Sequence, residues 1–193
     1  MGTGLGLNLA AALAECDGTP LDVLTLESDP EVLRAALDLP LGPEPAVPHQ
    51  RVCRASLAAA LAEPGCAVPF GAGSLRLLLG DGQRTLADQP RDLRFDAVFL
   101  DPFSPARGRA LWERAFLAEV AVRMTDRALL STYCASLAVR IELVHAGLSV
   151  GRGPPVGTKT SGTLACRATS RRSLPPLEPR TERRLASRVA RSG

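Results

Sequence analysis

The sequence predicts an α/β fold with a mostly parallel sheet, closed by an antiparallel hairpin at one edge. Three observations predict it. Short apolar runs alternate with helical segments along most of the chain. Three of those runs lead into an acidic residue, at Glu27, Asp81 and Asp101. The chain opens on Gly2-Thr3-Gly4-Leu5-Gly6, a turn with little side-chain bulk that passes directly into an apolar helix.

That helix is expected over Leu7–Cys16, closed by Asp17-Gly18. The run Leu21–Leu26 ends in Glu27 and reads as a buried parallel strand. Ser28-Asp29-Pro30-Glu31 starts a helix that runs to about Leu39, because Pro is tolerated at the first helical positions. Prolines at 40, 43, 45 and 48 make a loop, and Val52–Ala62 is the next helix, stopped by Pro64-Gly65. Ser74–Leu79 is a strand before Gly80-Asp81-Gly82, and Phe95–Leu100 is a strand ending in Asp101. A helix over Ala110–Met124 carries Trp112 and Phe116, which at i and i+4 read as core residues. Then come a strand at Ala128–Tyr133, a helix at Ser136–Ala146, and strands at Leu148–Arg152 and Gly162–Ala168. The last two have no helix between them and give the edge hairpin. Residues 1–168 are expected to form one domain and 169–193 a basic tail rich in Pro and Arg.

Composition narrows the function classes. The chain has 193 residues, 46% of them hydrophobic and only 4% aromatic. Five scattered cysteines with no C-x-x-C, and two histidines, point away from a disulfide framework or a metal site and toward a cytoplasmic protein. No apolar run reaches the ~18–20 residues of a membrane span. Lys159 is the only lysine, so the abundance of Arg reflects composition first. The charge is nevertheless uneven. Residues 167–193 hold eight Arg and two Glu, a net of +6, which leaves −3 for residues 1–166 of a total of +3. A tail of that kind suits nucleic acid, and it equally suits a solvated surface.

Beyond the carboxyl ends of parallel strands is where such sheets bind ligands. The turn of Gly2, Gly4 and Gly6 lets a nucleotide cofactor approach backbone at a helix start. Its G-x-G-x-G spacing departs from the dinucleotide G-x-G-x-x-G and resembles the S-adenosylmethionine turn of class I methyltransferases. Glu27, about 20 residues on, is placed to accept hydrogen bonds from ribose hydroxyls, and Asp81 to meet an adenine amino group. Asp101 opens Asp101-Pro102-Phe103-Ser104-Pro105, where a carboxylate and carbonyls suit an amine nucleophile and Phe103 offers a stacking face. Each acid alone also reads as a helix cap or a solvated loop residue; their coincidence with the glycine turn is what makes a site.

The stretch Phe95–Arg107 to Leu111-Trp112, with Ser131–Arg140, Ala146-Gly147-Leu148 and the Gly157-Thr158-Lys159 loop, resembles the methyltransferase part of the MnmC-like enzymes. The resemblance implies a Rossmann-like class I fold using S-adenosyl-L-methionine. It implies N-methylation of the 5-aminomethyl group of (2-thio)uridine at the tRNA wobble position. Gly2, Gly4, Gly6, Glu27, Asp81 and Asp101 carry over as cofactor-binding positions, with Asp101 also catalytic. Phe103, Tyr133 and Lys159 carry over as substrate-binding positions. The family has a strand ahead of the glycine turn, with an acid two places before its first glycine, so the first strand is expected to be missing here. A start codon placed too late is the expected reason, and a truncated paralogue the second. Methylation of a small amine, or a non-catalytic methyltransferase-like protein, are the alternatives.

Overall fold

The computed structural model describes residues 2–42, 47–155 and 160–192. Two compact units divide the chain, Met1–Asp88 and Gln89–Gly193. Each has its own sheet with a parallel strand pair.

The first unit runs α1 (Leu7–Glu15), β1 (Asp22–Glu27), α2 (Pro30–Asp38), α3 (Val47–Ala62), β2 (Ala67–Phe70), β3 (Gly73–Leu79) and α4 (Gly82–Ala87). Its sheet has the order β1-β3-β2. β1 and β3 are parallel, in register from Asp22 opposite Ser74 to Glu27 opposite Leu79. β2 is antiparallel to β3. Local chemistry explains the helix starts. Asp29 accepts a hydrogen bond from Glu31 N at 2.9 Å, with Pro30 at the first position of α2. Helix α3 begins at Val47 and not at Val52, so Pro48, expected in the loop, lies in the first helical turn, where its missing N–H costs nothing. Pro43 and Pro45 lie outside the described residues. The core gathers Leu33, Leu57, Ala60, Phe70, Leu75 and Leu77 around Ala10 and Cys53. Burial pushes the Cys53 thiol up to about 11, against the opposing pull of Arg54, so it behaves as an apolar filler.

The second unit runs β4 (Phe95–Phe99), a 3₁₀ turn (Ala110–Trp112), α5 (Arg114–Arg123), β5 (Met124–Thr132), α6 (Leu137–His145), β6 (Leu148–Arg152), β7 (Thr163–Arg167) and α7 (Pro179–Ser192). The sheet order is β4-β5-β7-β6. β4 and β5 are parallel, and β7 is antiparallel to both β5 and β6, which gives the expected closing hairpin. Two elements differ from expectation. The helix expected over Ala110–Met124 is broken at Glu113, whose extended backbone (ψ 148) separates the 3₁₀ turn from α5. The last residues form helix α7, with Leu177 and Leu185 buried. Within their sheets β1 and β4 are both edge strands.

Arg123 ties α5 to the segment before β4. It is 1% exposed, pairs with Glu119 at 2.8 Å, and donates to the carbonyls of Pro90 (2.5 Å) and Gln89 (3.1 Å). A buried guanidinium is tolerated only when its donors are spent in this way. Arg123→Met is expected to lose about 2–4 kcal/mol of stability, since charge-assisted hydrogen bonds are involved. Urea denaturation measures it, and a loss within 0.5 kcal/mol would mean that the carbonyls are satisfied without Arg123.

Candidate functional site

In the first unit the glycine turn sits on the carboxyl end of β1. Gly2, Gly4 and Gly6 all have left-handed backbone (φ 73, 49 and 73), while Thr3 and Leu5 between them do not. Only glycine adopts such an alternation without strain, and Gly6 N closes the turn by donating to Thr3 O at 2.9 Å. The turn is fastened at several points. Gly2 N and Thr3 N donate to Leu26 O at 3.2 and 3.3 Å. The buried Thr3 hydroxyl meets the Thr25 hydroxyl at 2.6 Å. Gly4 N donates to Glu27 Oε2 at 3.2 Å, and Ser28 N and Asp29 N donate to Glu27 Oε1 at 2.9 and 3.3 Å.

Glu27 is therefore more than a strand-end acid. It is 8% exposed, and these three donors use most of the roughly four acceptor sites of a carboxylate. At most one remains for a hydroxyl. Gly80 N donates to Glu27 O at 2.8 Å, which brings the turn after β3 to the same sheet end. Asp81 there is exposed and caps α4, accepting from Arg84 N at 3.0 Å. Gly6 caps α1 without any side-chain acceptor, and α1 has no acid in its first turn. That helix start is thus open to a ligand anion. A Cβ added at Gly4 would meet nothing within 4 Å, whereas one at Gly6 would press on Cys53 Sγ and Leu57 Cδ1, both at 2.9 Å. Gly4 faces open space; Gly6 is required by packing.

In the second unit Asp101 follows β4, where Leu100 N still bonds Ser131 O at 2.9 Å. Tyr133, just beyond β5, clamps this loop twice. Its N–H donates to Asp101 Oδ1 at 3.1 Å and its hydroxyl to Pro102 O at 2.9 Å. Trp112, 3% exposed, donates from Nε1 to the next carbonyl, Phe103 O, at 2.8 Å, and stands edge-on to the Tyr133 ring with centroids 6.4 Å apart. With its backbone held, the Phe103 side chain is 67% exposed. Burial first, and then the negative charges of Cys134 and Asp101, push the Tyr133 phenol above its ordinary value, which keeps it a donor. The buried Arg140 donates to Thr163 Oγ1 and Gly162 O, both at 3.0 Å, and Thr163 Oγ1 donates to Cys134 O at 2.7 Å. Burial lowers the Arg140 pKa.

The structure thus brings Gly2, Gly4, Gly6, Glu27 and Asp81 to one end of the first sheet. It brings Asp101, Phe103 and Tyr133 together in the second unit. Lys159 lies outside the described residues. Sequence reasoning missed Trp112, Arg140 and Thr3 as positioning residues. Trp112 shares no helix with Phe116, yet both are buried as expected. Among the described residues no helix is long and apolar enough to cross a membrane.

Residues 51–168 match a family described as S-adenosyl-L-methionine-dependent methyltransferase. The chain belongs to this family. Its fold agrees, since the structure superimposes on MNMC2 from Aquifex aeolicus with a TM-score of 0.76, at 29% identity, over 96% of this chain and 56% of that one. The chain is 35% identical over 178 residues to the tRNA 5-methylaminomethyl-2-thiouridine biosynthesis bifunctional protein MnmC of Ralstonia nicotianae, covering 85% of this chain and 26% of the relative. The same bifunctional protein of Cupriavidus necator is 31% identical over 91% of this chain and 28% of its own length. This methyltransferase chain therefore spans about a quarter of those two relatives. S-adenosyl-L-methionine is the cofactor of the family, and an open glycine turn before an uncapped helix start fits a ligand that carries a carboxylate.

Two measurements test this geometry. Gly6→Ala is expected to lose about 2–5 kcal/mol, combining left-handed strain with overpacking. Gly4→Ala is expected to lose only the backbone part, about 1–2 kcal/mol, so equal urea midpoints for the two variants would contradict the turn described. Tyr133 is the single tyrosine, so phenolate absorbance follows it alone. Its midpoint is expected above 10.0, the ordinary value. The folded state holds the proton more tightly than the unfolded chain. The associated stability is therefore present below pH 10 and lost as pH rises through the folded midpoint. A midpoint at or below 10.0 would contradict the buried setting of the phenol beside Cys134 and Asp101.

Proposed function

We propose that this methyltransferase transfers a methyl group to the 5-aminomethyl nitrogen of (2-thio)uridine at the tRNA wobble position, in the cytoplasm. The names of its relatives supply the substrate class. The observation that carries the reading is the doubly clamped Asp101-Pro102-Phe103 loop. A carboxylate, two fixed carbonyls and an exposed aromatic face suit an amine carried on a flat base.

The roles follow from that arrangement. Gly2, Gly4, Gly6, Glu27 and Asp81 hold the cofactor, the glycines through backbone and Glu27 chiefly by fixing the turn. S-adenosyl-L-methionine supplies an electrophilic methyl group when bound. Asp101 orients the substrate amine in its neutral form and takes up the proton that the nitrogen releases on methylation. Pro102 O and Phe103 O, pinned by Tyr133 and Trp112, keep Asp101 from swinging away. Phe103 stacks on the base, and Tyr133 and Lys159 serve the substrate side.

The decisive experiment is mass analysis of wobble nucleosides from a deletion strain. Accumulated 5-aminomethyl nucleoside is expected; normal methylated nucleoside with an altered pool of small methylated amines would replace this reading with small-amine methylation. Asp101→Ala is expected to lower kcat by on the order of 10² or more with cofactor affinity nearly unchanged, as single-turnover kinetics and calorimetry will read. Glu27→Ala is expected to weaken cofactor binding by ~1–3 kcal/mol and also to lower the melting temperature, because it frees three backbone donors. A kcat loss alone, with affinity and melting intact, would contradict the role given to Glu27.

A further inference from the structure

Helix α7 carries Arg180, Arg183, Arg184, Arg188 and Arg191, which with Ser187 share one exposed face. At 100° per residue all six fall within an arc of about 140°, over roughly 16 Å of helix. Clustering is what marks this face. Of the seventeen Arg outside α7, six pair with a carboxylate among the described residues and the other eleven are spread over both units. Among the described residues none of the five on α7 has a carboxylate partner. Their i,i+3 and i,i+4 spacings put like charges side by side, which weakens a helix, and Arg180 in the first turn opposes the macrodipole.

Docking holds the helix in spite of this. Leu185 is buried, and Ser192 bonds His145 of α6 at 2.9 Å. The approach is fixed as well, since Arg152 N donates to Pro175 O at 2.8 Å and Gly151 leaves no room for a Cβ beneath Leu174 and Pro175. The helix that carries the arginine face is therefore fixed in place.

We infer that this face of α7 is a docking surface for the phosphate backbone of a helical arm of structured RNA. The inference rests on the proposed RNA substrate. Guanidinium forks match phosphate oxygens in pairs, and duplex RNA is recognised mainly through its shape and backbone. Neighbouring phosphates would screen the repulsion that the helix otherwise bears. A protein partner fits less well, because no large apolar side chain is exposed on α7 to centre an interface. A membrane fits less well too, because the apolar side of α7 is spent on docking.

The test is a salt titration of the full chain binding an unmodified tRNA transcript. R180Q/R184Q/R188Q is expected to flatten the slope of log K against log salt by about 2–3 and to weaken binding roughly 10²-fold at ~0.1 M salt. R180K/R184K/R188K is expected to keep the slope. R51Q/R76Q/R91Q, which removes the same charge from scattered exposed sites, is expected to leave slope and affinity close to wild type. Calorimetry should find cofactor binding unchanged in all three, which also verifies folding. An unchanged slope in R180Q/R184Q/R188Q, an equal loss in the scattered variant, or binding of poly-glutamate or anionic vesicles through α7 as tight as that of RNA would each overturn the inference. If instead the methyl-transfer reading fails, tRNA will bind through α7 and remain unmethylated. If this inference fails alone, tRNA will be methylated with no dependence on α7.

Discussion

Three backbone N–H groups, from Gly4, Ser28 and Asp29, converge on the carboxylate of Glu27, and the position of the glycine turn depends on that convergence. The glycines have no side chains with which to hold the turn, and glycine loses more entropy on ordering than any other residue. The ordering must come from outside the turn. It comes from a strand end whose own backbone is fixed by six register pairs with β3. The Thr3–Thr25 hydroxyl contact and the bonds to Leu26 O complete the anchorage. Because the carboxylate is nearly buried, each of these charge-assisted bonds counts for more than it would in water.

The second unit solves a similar problem with aromatic residues. A loop that opens on Asp-Pro-Phe must present a carboxylate and an aromatic ring without collapsing onto either. Tyr133 and Trp112 grip successive carbonyls, and Trp112 braces Tyr133 edge to face. The two rings are polar handles on apolar bodies, so they can sit in a core and still hold a loop at its margin. Arg140 extends the support by joining Cys134, through Thr163, to the segment before β7.

Much of the fold is legible in the sequence, because the strands are dense apolar runs and several helices have clear starts. What escapes has physical causes. β2 is four residues long and contains Pro69, tolerable only on an edge strand, so its run carries no strand signature. α4 hides behind Gly80-Asp81-Gly82, where the turn signal is really a helix cap. The break at Glu113 leaves the apolar pattern nearly continuous. α7 reads as tail because one leucine, Leu185, carries its buried side. In the site, residue types at strand ends are legible because the fold class says where ligands bind. The partners that hold them are not. Thr3 meets a residue 22 positions away, and Tyr133 meets Asp101 across 32, distances over which no local pattern speaks.

The acids at the strand ends illustrate why the type of a residue underdetermines its work. Glu27, Asp81 and Asp101 occupy similar places, yet their surroundings divide the labour. Glu27 is buried and spends its oxygens on backbone, so what it sets is the shape of the turn. Asp81 is exposed and caps a six-residue helix, so any ligand contact competes only with water and one N–H. Asp101 is half-buried, with one oxygen fixed by Tyr133 N. A carboxylate meant to accept a proton must be oriented and still exchange with its substrate, and of the three only Asp101 combines a fixed direction with partial exposure beside an exposed aromatic ring. That difference in environment sets Asp101 apart from the two acids of the first unit.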